Sequence, residues 1–371
     1  MGDAKSLALR LLGQAGIVVG GDQPHDMTVH DDRLWDRIVR QRALGLGEAY
    51  QDGWWDAPHV DQFLVKVIEA DLASHVRPTA ELAGILARSL VFNRQNLRRA
   101  RTNAQSHYDI GNDLFERMLD PRMVYSCGYW RDATDLAEAQ TAKLDLICRK
   151  LHLEPGMRVL DIGCGWGGLA QYAASTYKVH VTGVSPAVEQ VALARERCRD
   201  LDVDIRQADY RELSGRYDRV VSVGMMEHVG PRNLGTFFDR CRELLDPDGI
   251  MLHHSISSSE SLTHTNPWFD RYIFPGGVLP SIAQIGKASE LHWVIEDLHN
   301  FGPYYDRTLM AWYDNIEASW DDLPRYDERF RRTWRYYLLS SAAAFRVRDI
   351  FLWQMVFRRT VRQAPVYEAV R

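Results

Sequence analysis

The chain has 371 residues, 46% hydrophobic and 26% charged, with a formal net charge of −5. That is ordinary globular composition with length for two or three domains, and its mild acidity argues against a general nucleic-acid binder. Five cysteines (Cys127, Cys148, Cys164, Cys198 and Cys241) show no Cys-x-x-Cys pairing, so no metal site and no disulfide framework are expected. No apolar run reaches the roughly 18 residues of a membrane span, and Met1–Leu12 lacks a signal-peptide pattern. The expectation is a cytoplasmic protein whose only membrane contact would be at the surface.

Ala4, Leu7, Ala8, Leu11, Leu12 and Ala15 recur at helical spacing, and Gly16 stops that helix. Ile17–Val19 and Met27–Val29 flank a Gly20-Gly21-Asp22 turn and read as a small hairpin. Leu34, Ile38 and Val39 begin another helix, whereas LGLGEAYQDGWWD (Leu44–Asp56) reads as turn-rich, with Trp54 and Trp55 capping a small core. Val60, Phe63, Leu64, Val67 and Ile68 give an amphipathic helix. From Leu82 to Tyr108 there is no acidic residue. Leu82, Ile85, Leu86 and Leu90 form an apolar stripe, followed by Arg94, Arg98, Arg99 and Arg101. Two readings stay open there: a core-facing helix with a solvated linker, or a patch for an anionic leaflet. A smaller, mainly helical N-terminal domain is therefore expected over residues 1–101, with the boundary near Thr102.

Residues 102–371 read as the second domain. Strands are expected at Arg158–Asp161, Val179–Val184, Val203–Arg206, Arg219–Val223 and Ile250–Ser255, with helical segments between them. This implies an α/β fold with a parallel, doubly wound, Rossmann-like sheet. The first strand runs into RVLDIGCGWGG (Arg158–Gly168), a strand–glycine turn–helix unit whose bare backbone lets a ligand approach closely. The spelling is D-x-G-x-G-x-G, and the next strand runs into Ser185 and Pro186 without the acidic residue of a dinucleotide site. That points away from NAD and toward S-adenosylmethionine, which carries no phosphate. Tyr217–Val223 then leads into Gly224, Met225, Met226, Glu227 and His228, placing polar groups at a strand's carboxyl end, where open α/β sheets bind ligands. Asn266–Pro280 is aromatic and turn-rich and reads as part of a lid-like insertion around 258–285. Helices follow at Thr308–Ile316 and Trp334–Ala344, and Ile350–Phe357 reads as a buried strand.

Together these segments resemble the cyclopropane-fatty-acyl-phospholipid synthases, a branch of the S-adenosylmethionine-dependent methyltransferases that includes the mycolic acid cyclopropane synthases. The matching pieces are LGLGEAYQDGWW, HYDIGNDLF (His107–Phe115), YSCGYW (Tyr125–Trp130), LDIGCGWGG, MMEHVG (Met225–Gly230) and LHHSIS (Leu252–Ser257). RYIFPGG (Arg271–Gly277), LHNFGPYYDRTLMAWY (Leu298–Tyr313) and AFRVRDIFLWQMVF (Ala344–Phe357) complete the set. The glycine motif alone says only methyltransferase; YSCGYW with MMEHVG, RYIFPGG and GPYYD is far more specific.

The resemblance implies a class I methyltransferase fold and a reaction in which an activated methyl adds to a cis double bond of a phospholipid acyl chain. Proton loss then closes a three-membered ring. An isolated alkene is a weak nucleophile, so the methyl donor must be held in line, and aromatic faces can stabilise the cationic intermediate by roughly 2 kcal/mol each. In the family a bound bicarbonate ion serves as base. By resemblance its contacts fall on Glu227, His254 and Tyr305, with backbone groups near Cys127 and Ile256, and Tyr108 lines the pocket. The cofactor contacts fall on Tyr125, Ser126, the turn Asp161, Gly163, Cys164, Gly165, Trp166, Gly167 and Gly168, then Ser185, Gln190, Asp209, Tyr210 and Val223. Many family members carry a cysteine where this chain has Ser341, so thiol chemistry is excluded at that position. The implied partner is unsaturated phospholipid at an anionic membrane surface, on the inner face of the membrane, and a homodimer is left open. Two rival readings remain: a lipid methyltransferase leaving a methyl or methylene branch, and a non-catalytic lipid-binding protein.

Overall fold

The computed structural model describes residues 2–72, 110–360 and 365–371. The chain forms two compact units, neither contiguous in sequence. One comprises Met1–Asn93, His264–Pro275 and Tyr305–Asp349; the other comprises Arg94–Thr263, Gly276–Tyr304 and Ile350–Arg371. The basic stretch Leu82–Arg101 and Tyr108 lie outside the described residues.

The second unit is built on a seven-stranded sheet. Its strands are β1 (Arg158–Ile162), β2 (His180–Ser185), β3 (Val203–Gln207), β4 (Tyr217–Val223), β5 (Leu245–Ser258), β6 (Trp293–Asn300) and β7 (Ile350–Arg359). They lie in the order β3-β2-β1-β4-β5-β7-β6. The first five pair in parallel, and β7 runs antiparallel between β5 and β6. The parallel part is the doubly wound arrangement the sequence suggests, with its reversal of direction beside β1 and β4, where such sheets bind ligands.

Side-chain alternation assigns each strand residue to one of two buried faces. Val159, Val181, Leu252 and Val356 pack on one face with Leu144, Ile147, Ala170, Ala173 and Val191. Leu160, Val184, Met251 and Phe357 pack on the other with Phe237, Phe238 and Ile285. The first face is covered by helices Leu136–Lys150, Gly168–Tyr177 and Val188–Arg197; Leu234–Leu244 and Ile282–Ser289 contribute to the second.

Two strands differ from the sequence expectation. β5 does not end at Ser255, because it continues against β7 through the pair Ser258↔Ile350. β6 was not expected: it is an edge strand with a register shift between Ile295 and Asp297 and with Val294, Ile295 and Leu298 exposed, so it lacks a regular apolar alternation.

The first unit is mainly helical. Thr28–Val29 pairs antiparallel with Trp55–Asp56 rather than with Ile17–Val19, which contributes a single bridge from Val19 to Met27. The expected hairpin is therefore replaced by a pairing that crosses helix Arg33–Gln51. That helix also absorbs most of the segment read as turn-rich. Its glycines serve close packing: a Cβ on Gly47 would lie 2.5 Å from the Trp268 ring, and one on Gly45 would lie 2.4 Å from the Arg37 carbonyl oxygen. Trp55 is fully buried, while Trp54 lies beneath Arg33 and Arg37, 4.6 and 4.7 Å from its ring.

The stretch read as an insertion, 258–285, divides between the units. Within the first unit, Trp268 donates its indole N–H to Gln51 (3.2 Å), and Arg271 and Tyr272 bond Glu48 (2.6 and 2.9 Å). A buried carboxylate and an indole filling a glycine notch fix helix Pro267–Tyr272 on helix Arg33–Gln51.

Candidate active site

The glycine turn closes β1 at the point where the sheet reverses direction. Gly163 and Cys164 both donate their N–H groups to the Val184 carbonyl at 2.9 and 3.1 Å, tying the turn to the end of β2. Gly163 and Gly165 sit at φ +86° and +53°. They answer to different neighbours: a Cβ at Gly163 would press within 3.1 Å of Met225, whereas among the described residues one at Gly165 would meet nothing within 4 Å. The described residues thus leave the bare face of Gly165 open. Gly167, also left-handed, starts helix Gly168–Tyr177.

Asp161 is buried, and among the described residues its Oδ2 has no hydrogen-bond partner. Burial raises its pKa to about 7, against the pull of the Lys143 ammonium. An unpartnered carboxylate oxygen beside an open glycine face suits the cationic amino-acid end of S-adenosylmethionine. Trp166 closes one side of the turn, donating to Asn112 Oδ1 at 2.9 Å and packing on Phe115, which in turn meets Tyr125.

The YSCGYW segment is held by helix Leu136–Lys150. Lys143 Nζ donates to Ser126 Oγ (2.8 Å), Gln140 donates to the Ser126 carbonyl (2.7 Å), and Tyr129 N–H bonds the Ala139 carbonyl. Sequence reasoning passed over Gln140 and Lys143, because a polar pair three residues apart on a helix reads as a solvated face. The available signal was that Ala139, Leu144 and Ile147 leave little of that helix exposed. Lys143 is fully buried, and burial lowers its pKa to about 8 despite the carboxylates of Asp120 and Asp161. Cys127 is buried and its thiol donates to the Gly128 carbonyl, so it has the environment of a packing cysteine.

Beyond β2, Ser185 Oγ donates to Gln190 Oε1 at 3.2 Å and accepts from Ala187 N–H. Both side chains are buried at the start of helix Val188–Arg197. Asp209 engages Arg211 through both carboxylate oxygens, at 2.7 and 2.6 Å, and caps the single turn Tyr210–Glu212. Tyr210 packs edge-on against Phe237. Val223 is half-buried and pairs in register with His254.

Glu227 follows β4, and His254 lies on β5. Gly224 N–H bonds the His254 carbonyl, so the loop after β4 folds over β5 and brings Glu227 to it. Glu227 Oε1 accepts from Ile256 N–H at 2.6 Å, while its Oε2 is buried without a partner among the described residues. Ile256, expected as a backbone contact to an anion, thus has its N–H engaged in orienting Glu227. Burial raises the Glu227 pKa to about 7. His254 is buried with neither ring nitrogen bonded among the described residues, and burial holds its pKa far below the usual imidazole value, so it is neutral. A neutral imidazole offers one donor and one acceptor, and a protonatable carboxyl offers either. Together they suit a small hydrogen-bonding anion. Tyr305 belongs to the other unit, where its buried ring packs at a tilt against Phe345, centroids 4.5 Å apart.

This geometry agrees with comparison to known proteins. The family model for mycolic acid cyclopropane synthetase matches residues 95–355. The cyclopropane-fatty-acyl-phospholipid synthase of Escherichia coli (strain K12) is 51% identical over 360 residues, covering 96% of this chain and 93% of that protein. Tuberculostearic acid methyltransferase of Mycobacterium tuberculosis is 33% identical, covering 95% and 88%. The solved mycolic acid cyclopropane synthase complexed with S-adenosylhomocysteine and a quaternary ammonium detergent superposes with a TM-score of 0.65 at 31% identity, covering 70% of this chain and 98% of that one. With the open glycine turn, the buried acid and the Glu227–His254 pair all in the second unit, this chain belongs to the mycolic acid cyclopropane synthetase family of S-adenosylmethionine-dependent methyltransferases.

Proposed function

We propose that this enzyme transfers a methylene group from S-adenosylmethionine to the cis double bond of unsaturated acyl chains in membrane phospholipids, forming cyclopropane fatty acyl phospholipids. The observation that carries this reading is the buried Glu227 Oε2 and His254 imidazole, unpartnered among the described residues, at the carboxyl-end side of the sheet that also carries the glycine turn. Such groups are costly to bury unless a ligand completes them.

S-adenosylmethionine supplies an electrophilic methyl when bound. The chain's own residues do the rest: the Asp161–Gly168 turn, Tyr125 and Ser126 hold the amino-acid end, and Ser185, Gln190, Asp209, Tyr210 and Val223 surround the nucleoside. Glu227 and His254 orient a bicarbonate ion that serves as base, Glu227 accepting from the ion's hydroxyl and His254 donating to one of its oxygens. The working location is the inner face of an anionic membrane.

The similarity to a tuberculostearic acid methyltransferase favours one second reading, a methyl- or methylene-branched product. Expression in a host lacking such activity decides between them. Gas chromatography–mass spectrometry of the acyl chains, with proton resonances of the cyclopropane ring, is expected to show ring-containing chains; branched chains alone would overturn the proposal. Stripping dissolved bicarbonate is expected to slow the purified enzyme, and restoring it to recover the rate.

A further inference from the structure

His254 does not stand alone on its face of the sheet. In register, His254 on β5 lies opposite Gln354 on β7, which lies opposite His299 on β6. Cross-strand partners point to the same face with their Cβ atoms about 5 Å apart. The three side chains therefore form one polar row spanning three strands. Apolar pairs flank it on both sides: Ile256 opposite Leu352, and Leu252 opposite Val356.

Gln354 is fully buried, and among the described residues neither its Oε1 nor its Nε2 has a hydrogen-bond partner. A buried amide left unpaired costs about 1–3 kcal/mol, and an apolar residue here would simply continue the neighbouring pairs. The row starts at the Glu227–His254 pair. It ends at half-buried His299, whose Nδ1 lies 3.3 Å from Lys150 Nζ. Lys150 pairs with Asp297 at 2.9 Å, and Asp297 with the partly exposed Arg371 at 2.6 Å. A polar line thus runs from the base site to the surface.

The reaction gives such a line a use. The alkene π pair forms a bond to the incoming methyl as the carbon–sulfur bond breaks, with that pair staying on sulfur. A C–H pair of the new methyl then forms the second ring bond, and its proton passes to the base. One proton per turnover must leave a buried site, either with the protonated base or through the protein.

We propose that the row His254–Gln354–His299 is the proton exit. The two imidazoles pass the proton with bridging water toward Lys150 and Asp297, and Gln354 is a positioning residue that fixes their tautomers. This rests on the reading of the Glu227–His254 site as the base site.

The test uses the full-length enzyme and two variants, Gln354→Leu and the less buried His299→Phe, should the first fold poorly. Steady-state rates are measured with unsaturated phospholipid vesicles at low and high bicarbonate, and 15N NMR of labelled histidine reads the tautomers in the ligand-free protein. The expected result is a kcat about tenfold lower at low bicarbonate, with KM and cofactor affinity within about twofold of wild type. Most of the rate should return at high bicarbonate, where the protonated ion is exchanged instead of being reset in place. Gln354→Leu should also alter the tautomer signal of His254 or His299. If wild type depends on bicarbonate but both variants match it at every concentration, the exit row is wrong. A loss that bicarbonate does not rescue, with unchanged tautomers, means a structural role only and also overturns it. A wild type indifferent to bicarbonate removes the base reading itself.

Discussion

At the residue scale, the site is governed by what burial does to charge. Glu227 and Asp161 are pushed up to about 7, and Lys143 down to about 8, in each case mainly by desolvation. Glu227→Gln keeps the shape of the side chain but replaces the acceptor Oε2 with an amide. Losing one hydrogen bond to a charged or buried partner costs about 1–3 kcal/mol, so turnover is expected to fall roughly tenfold to a hundredfold. Cofactor affinity, measured by calorimetry, should be unchanged; an equal loss in affinity would put Glu227 in the cofactor site instead. His253, on the opposite face, is buried beside Phe237 with both nitrogens unpartnered, and burial lowers its pKa from 6.5 to about 3. Below pH 6.5 the unfolded ring takes up a proton that the folded ring refuses until about pH 3, so stability is lost as pH falls through that window. His253→Leu should flatten the acid limb of the stability curve by up to about 1.4 kcal/mol per pH unit between about pH 4 and pH 6. Urea unfolding across that range checks it, and parallel curves for the two proteins would refute it.

At the element scale, two glycine-containing segments do different jobs. The Gly165 position is open on the protein side, so Gly165→Leu disturbs few protein contacts and costs only the left-handed strain of roughly 1–2 kcal/mol. It should weaken S-adenosylmethionine binding at least about tenfold while the thermal midpoint moves by only a few degrees. Wild-type affinity in a folded Gly165→Leu protein would mean the turn is not the cofactor site. Gly47 is the opposite case, because its missing Cβ is occupied by the Trp268 indole. Gly47→Ala should lower stability by about 1–3 kcal/mol, read as a drop in the thermal midpoint. Helix Leu136–Lys150 joins both concerns: its apolar face packs on the sheet, while Gln140 and Lys143 hold Ser126 in place.

At the scale of the whole molecule, the substrate must be reached in a membrane. No helix among the described residues is long and apolar enough to cross one. The acid-free segment from Leu82 to Arg101 is the proposed contact, each nearby arginine contributing on the order of 1 kcal/mol on an anionic leaflet. Neutralising Arg94, Arg98 and Arg99 together should weaken sedimentation with anionic vesicles at low salt by tenfold or more, roughly, and leave cofactor affinity unchanged. Equal vesicle binding by variant and wild type would sink the idea.

The sequence by itself determined the parallel core of the sheet, the glycine turn and the polar residues that follow β4. Short-range patterns carry those features: buried strands read as continuous apolar runs, a bare turn reads as glycines, and polar residues after β4 stand out against the apolar core. It did not determine the pairing of Thr28–Val29 with Trp55–Asp56, the edge strand β6, or helix continuity through Gly45 and Gly47. Each of these depends on a partner distant in sequence. Trp268 fills the notch at Gly47 from more than 200 residues away, and β6 gains its strand conformation by pairing with β7. Tertiary structure alone also gathered Lys143, Gln140 and Gln354. A polar residue shows its type in the sequence, but whether it meets water or a buried neighbour is decided only when the chain packs.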